Sequence, residues 1–396
     1  VCSGQTLESG TEYVFSFGIT NPTKEVTSPL IKISAEGTAS IQASLMSKPG
    51  SALKGVELGS DPLHLIKPAV LEAAVTHTNF FAGERNTLVF SLAMNVDMEI
   101  DGGVDAVFVI GGLDNVTPEP SSVSSGSVVQ LAAAGDQPGN ELFCASGFET
   151  STATWDGAAS TLTVRVCSGK LFSSETVYSF AFSVVNPDFE QACPAITLDA
   201  TAQDVNIIHR NMSVHSVELL GVANASCPLR VFKPQIVYGM LNQSVPFAES
   251  LNMLVLMLQI NVDLRGDQQS SLTVSGLAGA KLEDELNVVA SADSTGTWCL
   301  SDGFFSAASE SVTVTVCPGA QALAGETYFV DFRLRNPALG QTSPSISMEA
   351  MAVDAKTLDD GSYLPPVNIP LITVDKPDQA LLGVAHGSAP LEIADV

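Results

Sequence analysis

One stretch of this chain occurs three times. VCSGQTLESGTEYVFSFGITNP from Val1 returns without a gap as VCSGKLFSSETVYSFAFSVVNP from Val166 and VCPGAQALAGETYFVDFRLRNP from Val316. Cys2, Cys167 and Cys317 each lie 11 residues before Tyr13, Tyr178 and Tyr328, and those tyrosines lie 8 before Asn21, Asn186 and Asn336. Pro29, Pro194 and Pro344 follow 27 residues after each Cys. Spacing held over that length marks a tandem array, whose units each bury a core and stack on their neighbours.

A second block repeats as well. FFAGERNTLVFSLAMNVDM from Phe80 matches PFAESLNMLVLMLQINVDL from Pro246, and DPLHLIKP, CPLRVFKP and APLEIADV match at Pro62, Pro228 and Pro390. The frame predicts a full unit over 68–234, another over 235–396 with a C-terminal tail, and a partial unit over 1–67 that lacks its front strands.

Each repeat reads as β. Tyr13, Phe15, Phe17 and Ile19 alternate with small or polar residues, as do Tyr178, Phe180, Phe182 and Val184, and then Tyr328, Val330, Phe332 and Leu334. Period 2 is the pattern of a strand with one buried face. Each run stops at Asn-Pro, where proline removes a backbone donor. Further short β-branched runs (VDAVFVIGG, STLTVRVC, PAITLDATA, ESVTVTVC) are bounded by Gly, Pro, Ser and Asp, and no amphipathic helix of useful length is present. The fold class expected is all-β, with tandem immunoglobulin-like antiparallel β-sandwich repeats, the first unit incomplete. DNVTPEPSSVSSGS is expected to be a long loop of the first full unit.

Composition limits the partners. With 17 Lys+Arg against 43 Asp+Glu the formal net charge is −26. Such a chain is not expected to bind nucleic acid or an anionic membrane electrostatically. No apolar run reaches the roughly 18–20 residues of a membrane span, so no membrane insertion is expected.

The seven cysteines lack any CxxC or Cys/His metal spacing, which, with several sequons, suits a secreted, extracellular protein. Phe143-Cys144 aligns with Trp298-Cys299, each a hairpin before the repeat cysteine, so Cys144–Cys167 and Cys299–Cys317 are expected as disulfides; buried free thiols are the alternative. Cys193 and Cys227 occur together and only in the middle unit, which argues that they bond to each other. Cys2 is then left unpaired or intermolecular.

Asn115, Asn211, Asn224 and Asn242 head Asn-X-Ser/Thr sequons and are the expected N-glycosylation sites, with O-glycans a further option in the 115–128 loop. Asp97, Glu99, Asp101 and Asp105 start like a calcium loop, but the twelfth position from Asp97 is Phe108 rather than Glu, and Arg265 aligns with Glu99. They read as a solvated strand and turn, and calcium is not expected. His64, His77, His209, His215 and His386 are too scattered for zinc, and no nucleophile elbow, P-loop or dinucleotide motif occurs. No metal, cofactor or catalytic residue is expected. Trp155 and Trp298 read as packing residues rather than sugar platforms.

Taken together, VSGLAGA or VIGGLDN, Phe/Trp-Cys, LTVRVC or VTVTVC, the Y-x-F-x-F strand, Asn-Pro and the following P-x-I resemble the tandem extracellular repeats of algal and protist surface proteins. The set also resembles subunits of glycosylated surface fibrils built from immunoglobulin-like domains. That resemblance implies an extracellular structural protein that polymerises, and supplies no catalytic residue. The function expected is a fibril subunit that joins copies of itself in a head-to-tail homopolymer, its partial N-terminal unit completed by strands from the C-terminal part of a neighbour. An adhesin or stalk fragment binding glycans or another surface protein is the alternative.

Overall fold

The computed structural model describes residues 1–145, 149–266, 269–282, 288–292, 298–300, 303–352 and 366–395. Residues 1–67 contribute one two-stranded hairpin, β1 (Lys32–Ala35) and β2 (Ile41–Leu45). The middle of the chain carries β3 (Val70–His77), β4 (Arg85–Met94), β5 (Val107–Gly111), β6 (Thr161–Val166), β7 (Tyr178–Val185), β8 (Thr197–Ala202) and β9 (Val205–Asn211). The last third repeats the set as β10 (Ile236–Gln243), β11 (Leu251–Ile260), β12 (Ser271–Ser275), β13 (Ser311–Thr315), β14 (Thr327–Arg335), β15 (Ser347–Ala352) and β16 (Val367–Thr373).

In the middle set β3-β4-β7 form one sheet and β9-β8-β5-β6 the other; in the last set β10-β11-β14 face β16-β15-β12-β13. Ladders between these neighbours are antiparallel. Lettered in chain order, each is an A-B-E sheet against a G-F-C-C′ sheet, which is the strand order of immunoglobulin-like sandwiches. The protein is therefore all-β, and its described residues form two such sandwiches in tandem.

The period-2 runs supply the cores. Phe90 lies opposite Phe180 and Leu88 opposite Phe182 across β4 and β7; Leu256 lies opposite Val330 and Leu254 opposite Phe332 across β11 and β14, and all eight are essentially buried. Phe143 stacks edge-on to Phe180 with ring centroids 5.1 Å apart. Each buried phenyl ring contributes roughly 2–3 kcal/mol of hydrophobic stabilisation. Trp155 packs on Phe182 and Trp298 on Tyr328, with centroids 5.7 and 4.7 Å apart, in line with their reading as packing residues.

The Asn-Pro pairs do more than stop a strand. Asn186 donates to the carbonyls of Asn79 and Phe81 and accepts from Asn86; Asn336 donates to Val245 and Phe247 and accepts from Asn252. These buried amides pin the turn between the first two strands of each sandwich to the end of its E strand. That turn bends away from both ladders, so the Asn79 and Val245 carbonyls depend on these side-chain donors, while Phe81 O and Phe247 O also accept the Glu84 and Ser250 N–H groups at 3.4 Å.

Three expectations need correction. Residues 11–22, including Tyr13, Phe15, Phe17 and Ile19, form no strand. Their counterparts β7 and β14 are strands because β4 and β11 lie alongside; nothing in the described chain pairs with 13–20, and an extended segment without a ladder partner gains no inter-strand hydrogen bonds. The 367–395 stretch is not a tail: β16 pairs with β15, and Val367, Ile369, Val374, Leu391 and Ile393 are buried in the last sandwich. The 115–128 segment is partly strand, Thr117–Pro118 pairing with the free edge of β7 at Val184–Val185.

Candidate interaction surface

Residues 1–46 put an apolar surface into water. Phe17 is 76% exposed, whereas its repeat counterparts Phe182 and Phe332 are 0% and 1% exposed. Phe15 and Ile33 are likewise exposed, while Phe180, Val330, Leu198 and Met348 at the matching positions are buried. Tyr13, Phe15, Phe17, Ile33 and Met46 line a groove of about 520 Å³. Asn21, matching Asn186 and Asn336, has no turn to clamp. One local device survives: Tyr13 Oη accepts the Glu8 N–H at 2.8 Å, as Tyr328 Oη accepts the Leu323 N–H at 2.6 Å. Glu8 and Leu323 occupy the same repeat position, so this corner forms without the rest of the sandwich.

The second surface is the junction between consecutive units. Lys54 and Gly55 both have positive φ, as do Leu220 and Gly221, and each pair makes the centre of a tight hairpin closed by Leu53 with Val56 or Leu219 with Val222. Two consecutive positive-φ residues define a type I′ turn, which favours glycine. Both turns dock on the unit that follows. Asp97 N–H donates to Lys54 O at 3.0 Å and Asp263 N–H to Leu220 O at 2.9 Å. Each aspartate accepts a backbone N–H from the loop before its E strand, Ser174 onto Asp97 at 2.8 Å and Ala324 onto Asp263 at 2.9 Å. Asn95 and Asn261, two residues earlier, clamp the linker: their amides donate to Lys67 O and Lys233 O and accept from Ala69 and Gln235. The repeated Asn-Val-Asp thus holds one unit to the next, a role missed in reading Asp97 as solvated; the turn and the aspartate lie in different units, so only their repetition marked them.

The two sockets differ in chemistry. Lys54 reaches Asp101 at 2.8 Å and Asp204 at 3.8 Å. The bond to Asp101 holds the Lys54 ammonium above its usual pKa and the Asp101 carboxyl below its own. Leu220 instead is 1% exposed and joins the last sandwich's core with Val262, Leu264 and Ala322. Asp105 faces Arg165 at 3.6 Å, so Asp97, Asp101 and Asp105 all have protein partners. Among the described residues no group of three or more His, Cys, Asp or Glu could hold a metal ion, and no helix is long and apolar enough to cross a membrane.

Cys193 is bonded to Cys227, with Cα atoms 5.9 Å apart, and Cys299 to Cys317, at 5.4 Å. Cys144 and Cys167 are buried thiols, contrary to the expected bridge, and Cys2 is an exposed thiol. Register explains the difference. In the last sandwich Leu300 lies opposite Val316 and Cys317 N–H donates to Cys299 O, so the two cysteines face each other. In the middle sandwich Phe143 lies opposite Val166 and Cys144 opposite Arg165, a shift of two residues that leaves Cys144 diagonal to Cys167. Diagonal Cα atoms lie about 7–8 Å apart, past the usual span of a disulfide, so the two thiols meet through a hydrogen bond rather than a covalent bond. Burial is the main cause raising the Cys167 thiol to about 12, with the Cys144 hydrogen bond next.

Of the sequon residues, Asn115, Asn211 and Asn224 are exposed and Asn242 is half-buried on β10. Asn115 donates to Gln191 Oε1 at 2.8 Å, and Asn224 accepts from Ser216 at 2.7 Å.

No family model matches this chain, and no curated protein matches it. Among solved structures, the C-terminal domain of the Streptococcus pyogenes antigen I/II-family protein AspA is 8% identical over 77% of this chain and 99% of that one, with a TM-score of 0.39. The collagen adhesin CNA of S. aureus is 10% identical, covering 78% and 92% with a TM-score of 0.20. The full-length major pilin SpaD of Corynebacterium diphtheriae is 8% identical, covering 68% and 59% with a TM-score of 0.23. The class stated above rests on strand order, not on these distant likenesses.

Proposed function

We propose that this chain is a non-enzymatic structural subunit of an extracellular, glycosylated fibril, joined head to tail to copies of itself through residues 1–67. The observation that carries the reading is the contrast at one repeat position: Phe17 is exposed where Phe182 and Phe332 are buried in the cores of their sandwiches. Covering Phe15, Phe17, Ile19 and Ile33 would each contribute roughly 1.5–3 kcal/mol, and a strand added at 13–20 would supply a ladder. A heterologous contact of this kind generates filaments unless it closes into a ring. The donor is not a loose C-terminal tail, since 367–395 is built into its own sandwich; donation from there requires releasing β16.

The test is sedimentation and negative-stain imaging of the secreted, glycosylated chain across concentrations. Filaments or concentration-dependent oligomers are expected, tightening with salt because the −26 charge opposes approach of copies. Phe15→Ser with Phe17→Ser should leave monomers. A wild-type chain that stays monomeric throughout overturns the reading.

A further inference from the structure

The junction turn occurs a third time. Leu381 closes on Val384 around Leu382 (φ 51°) and Gly383 (φ 85°), the geometry of Leu220 (φ 50°) and Gly221 (φ 73°). The supporting loop is built alike in all three copies: Gln379 N–H donates to Ser388 Oγ as Val217 does to Ser226 and Ser51 to Ser60. The turn sequence Leu381-Leu382-Gly383-Val384-Ala385 repeats Leu219-Leu220-Gly221-Val222-Ala223 residue for residue. Yet Leu382 is 61% exposed, where Leu220 is 1% exposed, and a Cβ on Gly383 would meet nothing within 4 Å, where one on Gly221 would meet Asp263 at 2.5 Å.

We infer that the Leu381–Val384 turn is an open docking element for a further repeat with an apolar socket of the Val262–Asp263 type, and that the first central residue of each turn selects the socket it enters. Lys54 enters the acidic socket of Asp101 and Asp204; Leu220 enters the apolar one. Leu382 carries the apolar code. A leucine beside Asp101 and Asp204 would forgo a partly exposed ion pair, a small loss, whereas a lysine where Leu220 sits would desolvate an ammonium without a partner, a large one. The inner sockets at Asp97 and Asp263 are already filled by the chain's own turns. The occupant is therefore another repeat of the last sandwich's kind with its Asn-Val-Asp unoccupied. This holds whether or not residues 1–67 recruit a neighbour.

The test joins a second copy of residues 235–396 directly after Val396, which reproduces the spacing from Val222 to Gln235. Amide hydrogen exchange then follows the added copy's Asp263, whose N–H is protected only when a turn carbonyl accepts it. Slow exchange there is expected, becoming at least tenfold faster with Leu382→Lys while the added β11 amides stay protected. Appending residues 69–234 instead, which keeps the spacing from Val56 to Ala69, should abolish the penalty, Leu382→Lys then protecting the added Asp97 amide at least as well as leucine does. Equal exchange for leucine and lysine in both chains overturns the inference. Should an added unit fail to fold, Leu220→Lys in the natural chain reads the same code: the Asp263 amide should exchange at least tenfold faster with β11 still protected, and unchanged exchange overturns it.

Discussion

Asn252 donates to Asn336 Oδ1 at 2.8 Å, and Asn86 repeats the bond to Asn186 at 2.9 Å. In both sandwiches this pair sits buried at the point where the A–B turn meets the end of the E strand, and the second asparagine spends its own N–H groups on two turn carbonyls. Asn336→Ala or Asn186→Ala leaves the Val245 or Asn79 carbonyl and one amide N–H of Asn252 or Asn86 without a partner in a dry site. Each should cost roughly 2–4 kcal/mol of its own sandwich's stability. Asn21→Ala, with no turn to clamp, should stay within about 0.5 kcal/mol. Exchange protection on β4 and β11 separates the two outcomes, and a costly Asn21→Ala would contradict the assignment.

His77 predicts an acid-sensitive middle sandwich. Its Nε2 lies 2.9 Å from Ala225 O, and burial lowers its pKa to about 4, well below the ordinary histidine value of 6.5. The unfolded chain binds the proton first, so stability is greatest above pH 6.5 and falls as pH drops from there to 4. The loss per pH unit is at most about 1.4 kcal/mol, roughly 3 kcal/mol across the window. Gln243 occupies the matching place, donating to Gly387 O and Glu392 O at 2.9 Å without titrating. His77→Gln should flatten the urea midpoint of the middle sandwich between pH 4 and 6.5, and an unchanged slope would refute the account.

The junction glycines should respond unequally. Gly221→Ala and Gly383→Ala both place a Cβ on positive-φ backbone, at about 1–2 kcal/mol. Only the first also drives that Cβ to 2.5 Å from Asp263 Oδ1 and 3.0 Å from the Ala324 Cβ. Gly221→Ala should therefore lose a further 1–3 kcal/mol or so and expose the Asp263 amide to exchange. Equal losses at the two sites would argue that the turn at Gly221 does not dock.

Thiol chemistry tests the register. Under native conditions an alkylating reagent should modify Cys2 and spare Cys144 and Cys167, since the thiolate is the reactive form and burial keeps the Cys167 proton on to about pH 12. After denaturation all three should react, and peptide maps should show Cys193–Cys227 and Cys299–Cys317 intact. A Cys144–Cys167 peptide from the secreted chain would mean that the 143–144 strand takes the Cys299 register, two residues away.

What the chain alone determined was its periodicity. Strand faces such as Tyr178-Phe180-Phe182, the units marked by Asn-Pro, and the pairing of two cysteines that come and go together are local or repeated patterns, and side-chain alternation follows directly from backbone geometry. Tertiary structure decided everything that depends on a partner. Residues 13–20 carry the same alternation as β7 and β14 but make no strand, because a ladder needs a second strand. Cys144 and Cys167 keep the spacing pattern of a bridge, but cross-strand register sets which residues meet. Asp97 and Asp263 look like surface acids until the preceding unit's turn lays its carbonyl on their amides. Spacing along a chain records which residues recur; contact energies depend on which of them come within a few ångströms, and that is settled only when two sheets, or two units, close on each other.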